Sequence, residues 1–165
     1  MQAKILNDYG LFAHRRSKDM IIFNAEEHVP YTAKQMFDLV SDIEKYPEFV
    51  PGCRHVSILW REESRVEARM QSTFMGFSID FTSKIILEAP SSIEISNISQ
   101  PFRRFFAHWS FEPRENDGCI VSYKMEIETP MAFMDSIFSS LQGISGRRTV
   151  AAFMERAKTL YDIKS

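Results

Sequence analysis

Few side chains in this sequence are arranged to make or break bonds. His108 precedes Trp109 in a stretch of alternating apolar residues, so the two fall on opposite faces and the imidazole points toward solvent. His28 and His55 have no acid or nucleophile at a readable spacing. Glu126 and Glu128 share the outer face of an expected strand, where they read as a solvated pair rather than an acid/base couple. Gly143-Ile144-Ser145-Gly146 falls short of the Gly-x-Ser-x-Gly elbow, and neither a glycine-rich phosphate loop nor a His-Glu-x-x-His pair is present. Cys53 and Cys119 make neither a disulfide framework nor a zinc site, and read as reduced, partly buried thiols. Asn97-Ile98-Ser99 matches a glycosylation sequon but lies in an expected strand. The expectation is a protein with no catalytic residue and no metal, hence not an enzyme.

Binding is the chemistry that remains. A net charge of −2 argues against a general nucleic-acid binder, so no DNA partner is expected. Arg103, Arg104, Arg147 and Arg148 are the candidates for local basic ground: a solvated face, a contact for anionic lipid headgroups, or one for RNA phosphates. The conspicuous counts are fourteen Phe and nine Met. Phe supplies apolar area without a polar handle, and Met fills irregular space. They build either a generous core or the wall of an apolar cavity.

The elements that must position these groups follow from periodicity. At 165 residues, with 44% hydrophobic and 25% charged, the chain is expected to form one globular domain. Residues 1–18 carry Lys4, Arg15, Arg16 and Lys18 against Asp8, without the serine richness of a presequence; they read as an N-terminal extension, with the domain over 19–165. No window is apolar enough to span a bilayer. Thr32 and Gln35 form a capping-box signal, and Met36, Phe37, Leu39, Val40 and Ile43 give a helical stripe. Pro47 and Pro51 cannot continue that helix, so Tyr46 to Pro51 is expected to be a stiff loop whose aromatics lie over something like a lid. Residues 20–25 and 54–60 read as strands. Period-two alternation then runs from Val66 through Ile127, broken at Met75-Gly76, Ala89-Pro90, Gln100-Pro101 and Asp117-Gly118. From Met131 to Ile163 the apolar period changes to three or four, a helix of roughly 50 Å. Gly143 and Gly146 interrupt it, marking either close packing or a bend. The class is α+β: about seven antiparallel strands curling around a long C-terminal helix.

Three ordered motifs carry a family resemblance. Met36-Phe37-Asp38-Leu39-Val40 with Tyr46-Pro47-Glu48-Phe49 and Pro51-Gly52-Cys53 comes first. Pro101-Phe102-Arg103-Arg104 with Trp109-Ser110-Phe111 follows, then Val150-Ala151-Ala152-Phe153 with Arg156-Ala157 and Leu160-Tyr161. Together they resemble the coenzyme Q-binding START-like family of the polyketide cyclase/lipid-transport superfamily, which includes the bacterial ribosome-association toxin. The resemblance implies a helix-grip fold enclosing an apolar cavity. It also implies ubiquinone as a bound ligand, with no further cofactor, in ubiquinone biosynthesis or delivery to the respiratory chain. The alternative it carries is a toxin that binds the large ribosomal subunit and inhibits translation. The implied setting is intracellular, the bacterial cytoplasm or inner-membrane periphery or the mitochondrial inner membrane, with possible peripheral membrane contact. The residues expected to frame the ligand are Phe37, Tyr46, Phe49 and Pro51 from the first motif region, Met70, Phe74, Phe77, Phe81 and Trp109 from the sheet, and Phe138 and Leu141 from the last helix.

Overall fold

The structure is a computed structural model that describes residues 12–14, 20–74, 77–116, 118–128 and 132–162; within these, the side chains of 12–14, 74, 77 and 132–145 are left aside. Among the described residues eight strands form a single antiparallel sheet: β1 (Phe12–His14), β2 (Met20–Val29), β3 (Cys53–Arg61), β4 (Arg65–Phe74), β5 (Phe77–Glu88), β6 (Ser92–Asn97), β7 (Arg104–Pro113) and β8 (Cys119–Glu128). Their order across the sheet is β1-β2-β8-β7-β6-β5-β4-β3. From β3 to β8 each strand pairs with its sequence neighbour, as hairpins demand, and β2 closes on β8. The strand beyond the expected seven is β1, which pairs with β2 through Phe12, Ala13 and His14. Part of the expected N-terminal extension is therefore sheet.

Among the described residues three α-helices cover one face: α1 (Ala33–Ser41), α2 (Tyr46–Phe49) and α3 (Ala132–Tyr161), with a 3-10 turn at Ile43–Lys45 between the first two. The capping box forms as the sequence implies. The Gln35 backbone N–H donates to Thr32 Oγ1 at 3.1 Å, and the Thr32 N–H donates to Gln35 Oε1 at 2.9 Å. Met36, Phe37, Leu39 and Val40 turn inward, and α1 packs across β6, β7 and β8. The stiff loop expected at Tyr46–Pro51 is instead the short helix α2 followed by a turn. Pro47 sits in its first turn, where no intrahelical bond needs the missing N–H.

The last helix is one element of 30 residues packed on β2, β8, α1 and α2. At Gly146 the choice between close packing and a bend resolves toward packing. A Cβ there would stand 2.6 Å from Phe23 Cδ1, so only glycine lets the helix settle on that ring. Side chains around Gly143, and the Met75-Gly76 turn, lie outside the described residues. At the far end Tyr31 donates to Asp162 Oδ1 at 2.6 Å, and Tyr161 donates to the Gln35 carbonyl at 2.8 Å. These bonds clasp the end of α3 to the start of α1.

Candidate functional site: an apolar cavity beneath the last helix

Alternation along the strands decides what faces α3. On β7 the inward row is Phe105, Ala107, Trp109 and Phe111; on β8 it is Val121, Tyr123, Met125 and Ile127. Register sets Trp109 beside Tyr123, and Ala107 between Ile95 on β6 and Met125 on β8. Aromatic residues gather on either side of Ala107. Trp109 lies 4.3 Å from Tyr123 and 4.8 Å from Phe153 between ring centroids, and Tyr46 meets Phe153 edge-on at 5.2 Å. Around Phe105, the rings of Phe81 and Phe102 stand 5.4 and 5.5 Å away. The two members on β7 are four residues apart, about 13 Å along the strand, and the small Ala107 lies midway.

The result is a cavity of about 180 Å³. Met70, Phe81, Ile95, Trp109 and Met125 line it from β4 to β8, α3 contributes Thr149 and Phe153, and Val50 to Cys53 close one side. Five adjacent strands reach one small space although a flat sheet would spread them over about 19 Å. The sheet therefore curls around it.

Electrostatically the wall is neutral. Burial raises the Tyr46 phenol far above its ordinary value, with the nearby Tyr123 and Cys53 adding to the effect, and its hydroxyl donates to the Val40 carbonyl. Burial likewise raises Tyr123 and pushes the Cys53 thiol up to about 11. All three are uncharged at neutral pH. Among the described lining residues there is no carboxylate, imidazole, Lys or Arg. The described wall therefore offers no general base with a pKa near neutrality, and its thiol, Cys53, is unbridged, as is the buried Cys119 away from the wall. Elsewhere, two hollows of about 430 and 310 Å³ are larger but bordered by charge: Arg65, Glu67 and Lys84 in one, Asp38, Asp42, Lys45 and Arg156 in the other. Size alone would choose them; an apolar ligand gains little from walls that stay hydrated.

Of the residues expected to frame a ligand, Tyr46, Pro51, Met70, Phe81 and Trp109 stand on this wall. Phe37 does not reach it, because α1 turns that ring edge-on to Phe111 at 6.1 Å. Phe49 is also off the wall. It packs behind it, against Phe153 at 5.0 Å and under the Arg156 guanidinium at 5.3 Å. The side chains of Phe74, Phe77, Phe138 and Leu141 lie outside the described ones. Sequence reasoning passed over Phe102, Phe105, Ala107, Tyr123 and Phe153. Its available signal was Ala107, the one small residue in an otherwise bulky inward row.

The polar candidates take structural posts. Glu126 is nearly buried and holds Arg104 at 2.8 Å and Lys124 at 2.7 Å, so it is not the solvated half of a pair. Lys124 first, then Arg104, draw its carboxyl below the usual range. Arg103 faces Glu128 at 3.9 Å. His108 is half-buried with its ring parallel to Phe106. Asn97 of the sequon is occupied: its side-chain amide donates to the carbonyls of Ser99 and Phe102, and its oxygen accepts from the Phe105 N–H. No group of His, Cys, Asp or Glu among the described residues is placed to hold a metal, and no described helix is long and apolar enough to cross a membrane.

A helix gripped by a curled antiparallel sheet over an apolar space defines the class, and the comparisons agree. The chain belongs to the family described as polyketide cyclase / dehydrase and lipid transport, whose sequence model matches residues 29–154. It is similar to the ribosome association toxin RatA of Vibrio cholerae, 32% identical over 133 residues, covering 81% of this chain and 92% of that protein. It is also similar to the mitochondrial coenzyme Q-binding protein coq10 of Schizosaccharomyces pombe, 23% identical over 149 residues, covering 87% and 90%. In fold it matches the ZhuI aromatase/cyclase of Streptomyces sp. R1128 with a TM-score of 0.73 at 16% identity, over 84% of this chain and 94% of that one. Relatives and structural neighbours thus include a binding protein, a toxin and an enzyme.

Proposed function

We propose that this protein binds ubiquinone or a closely similar polyprenyl quinone without transforming it, in support of ubiquinone biosynthesis or of its delivery to the respiratory chain. The observation that carries the reading is the neutral, aromatic-walled cavity under α3. Apolar surface removed from water contributes about 25 cal/mol per Å², so a ligand that is apolar over most of its surface needs few polar contacts here. The coenzyme Q-binding relative is consistent with it. The absence of an acid or base from the described wall favours carriage over turnover, against the aromatase/cyclase neighbour. A carrier of this kind works inside the cell at the periphery of a quinone-bearing membrane.

The test is chemical. Protein purified under mild conditions is extracted with organic solvent, and the extract is searched for quinone; delipidated protein is then titrated with ubiquinone while its melting temperature is followed. Quinone in the extract and a rise in melting temperature support the reading. Their joint absence removes it.

The second reading is a toxin acting on the large ribosomal subunit, favoured by the higher identity to the ribosome association toxin. Against it, Arg103 and Arg104 already face Glu128 and Glu126, and the chain is net acidic; phosphate binding needs cations to spare. Co-sedimentation with large subunits, reversed by salt, would support the toxin reading.

A further inference from the structure

The described cavity is the size of one ring. An engineered apolar cavity of about 150 Å³ accommodates benzene, and here about 180 Å³ opens over Ala107 between the Trp109–Tyr123–Phe153 rings and the Phe81–Phe102–Phe105 rings. Rings on both sides suit a flat, electron-poor partner better than a saturated chain, because aromatic faces carry negative quadrupole density. The titratable groups on the described wall, Tyr46, Tyr123 and Cys53, are all held in their neutral forms, and no cation stands there. A ligand carrying a charge would therefore enter with nothing to pair it.

We propose that the quinone ring, not its prenyl tail, occupies the space over Ala107, and that this space selects flat uncharged rings and rejects aryl carboxylates of the same size. The inference rests on the quinone reading and adds which end of the ligand the described wall holds and which charge state it accepts.

The two tryptophans give the assay. Trp60 is 43% exposed and Trp109 only 2%, so Trp60→Phe leaves Trp109 as the reporter on the cavity wall. Delipidated Trp60→Phe protein is titrated with duroquinone, a tetramethyl benzoquinone with no ring position open to thiol addition. Parallel titrations use 2,3,5,6-tetramethylbenzoate and farnesol, and melting temperature is recorded in each. The expected result is saturable quenching of Trp109 by duroquinone, independent of pH between 5 and 7. The benzoate should bind only as its neutral acid, so its affinity should fall about tenfold per pH unit above a carboxyl pKa near 4. Ala107→Leu, which fills the space, should remove the saturable quenching by duroquinone while the protein still melts cooperatively.

Equal affinity for duroquinone and the benzoate at pH 7 would overturn the charge selection. Farnesol and full-length ubiquinone raising the melting temperature while duroquinone never quenches saturably would overturn the ring placement and leave the quinone reading standing. No response to duroquinone, farnesol or ubiquinone would overturn both.

Discussion

Filling the space over Ala107 is expected to stabilise the protein while abolishing its ligand binding, a pairing of signs that ordinary core substitutions do not give. Ala107 is 2% exposed and faces the cavity between Ile95 and Met125. Ala107→Leu adds three carbons, each worth about 0.8 kcal/mol when moved from water into an apolar site. Ordering the leucine side chain costs about 0.5–1 kcal/mol, which leaves a gain of roughly 1.5–2 kcal/mol. For a domain of this length 1 kcal/mol moves the melting temperature by about 2–4 °C, so the delipidated variant should melt roughly 3–8 °C higher than delipidated wild type. The measurement is a thermal melt of both proteins after solvent extraction, with quinone retention scored on the same preparations. A well-packed site behaves oppositely: extra methylenes there cost about 1–3 kcal/mol through strain. A lower melting temperature together with undiminished quinone retention would show that no usable space lies over Ala107, and would refute the site.

Phe49→Ala is expected to cost about 2–3 kcal/mol of stability, below the full Phe→Ala range because the ring is only half-buried, and to leave quinone retention in the folded fraction unchanged; lost retention at an unchanged melting temperature would return Phe49 to the ligand's wall. Gly146→Ala should destabilise despite a gain of about 1 kcal/mol in helix propensity, because the new methyl meets Phe23 at 2.6 Å and overpacking costs about 1–3 kcal/mol; a higher melting temperature would contradict the contact. Tyr31 has its phenol raised to about 12, chiefly by its bond to Asp162 and then by burial. Its contribution to stability is therefore fully present below the unfolded value near 10 and is lost as pH rises through about 12, so urea melts of wild type and Tyr31→Phe should differ at pH 8 and converge in that alkaline window; a constant difference up to pH 12 would dissociate the clasp from the hydrogen bond.

The parts of this fold written in local pattern could be read directly. The Thr32/Gln35 box, the alternation from Val66 to Ile127 and the change of period after Met131 each depend on neighbours in sequence, and each forms where the pattern places it. The α2 turn was not legible because Pro47 marks both the end of one helix and the first turn of another; the chain decides by packing Tyr46 and Phe49 against Phe153. Glu126 was misplaced for a similar reason. Alternation puts it on the outer face of the sheet, but its burial depends on Arg104 from the strand beside it and Lys124 on its own strand.

The candidate site was harder to read than the fold because alternation says which side chains face inward, not which of them leave a void. A void needs a small residue among large ones and a ceiling at the right height, and the two come from distant parts of the chain. Ala107 supplies the first. The ceiling is Phe153, whose position is fixed by the register of α3 on the sheet, and Gly146 is the residue that sets it: with no side chain, it lets the helix rest on Phe23. Two helical turns later the same face presents Phe153, after Val150, to the interior. Phe23 is itself braced by Tyr123 at 6.0 Å, and Tyr123 by Trp109. The space over Ala107 is thus governed by a glycine that does not touch it. Raising the helix at Gly146 would lift Phe153 from Trp109 and open the cavity from above, which is why substitutions at Gly146 should alter ligand retention as well as stability, whereas those at Phe49 should alter stability alone.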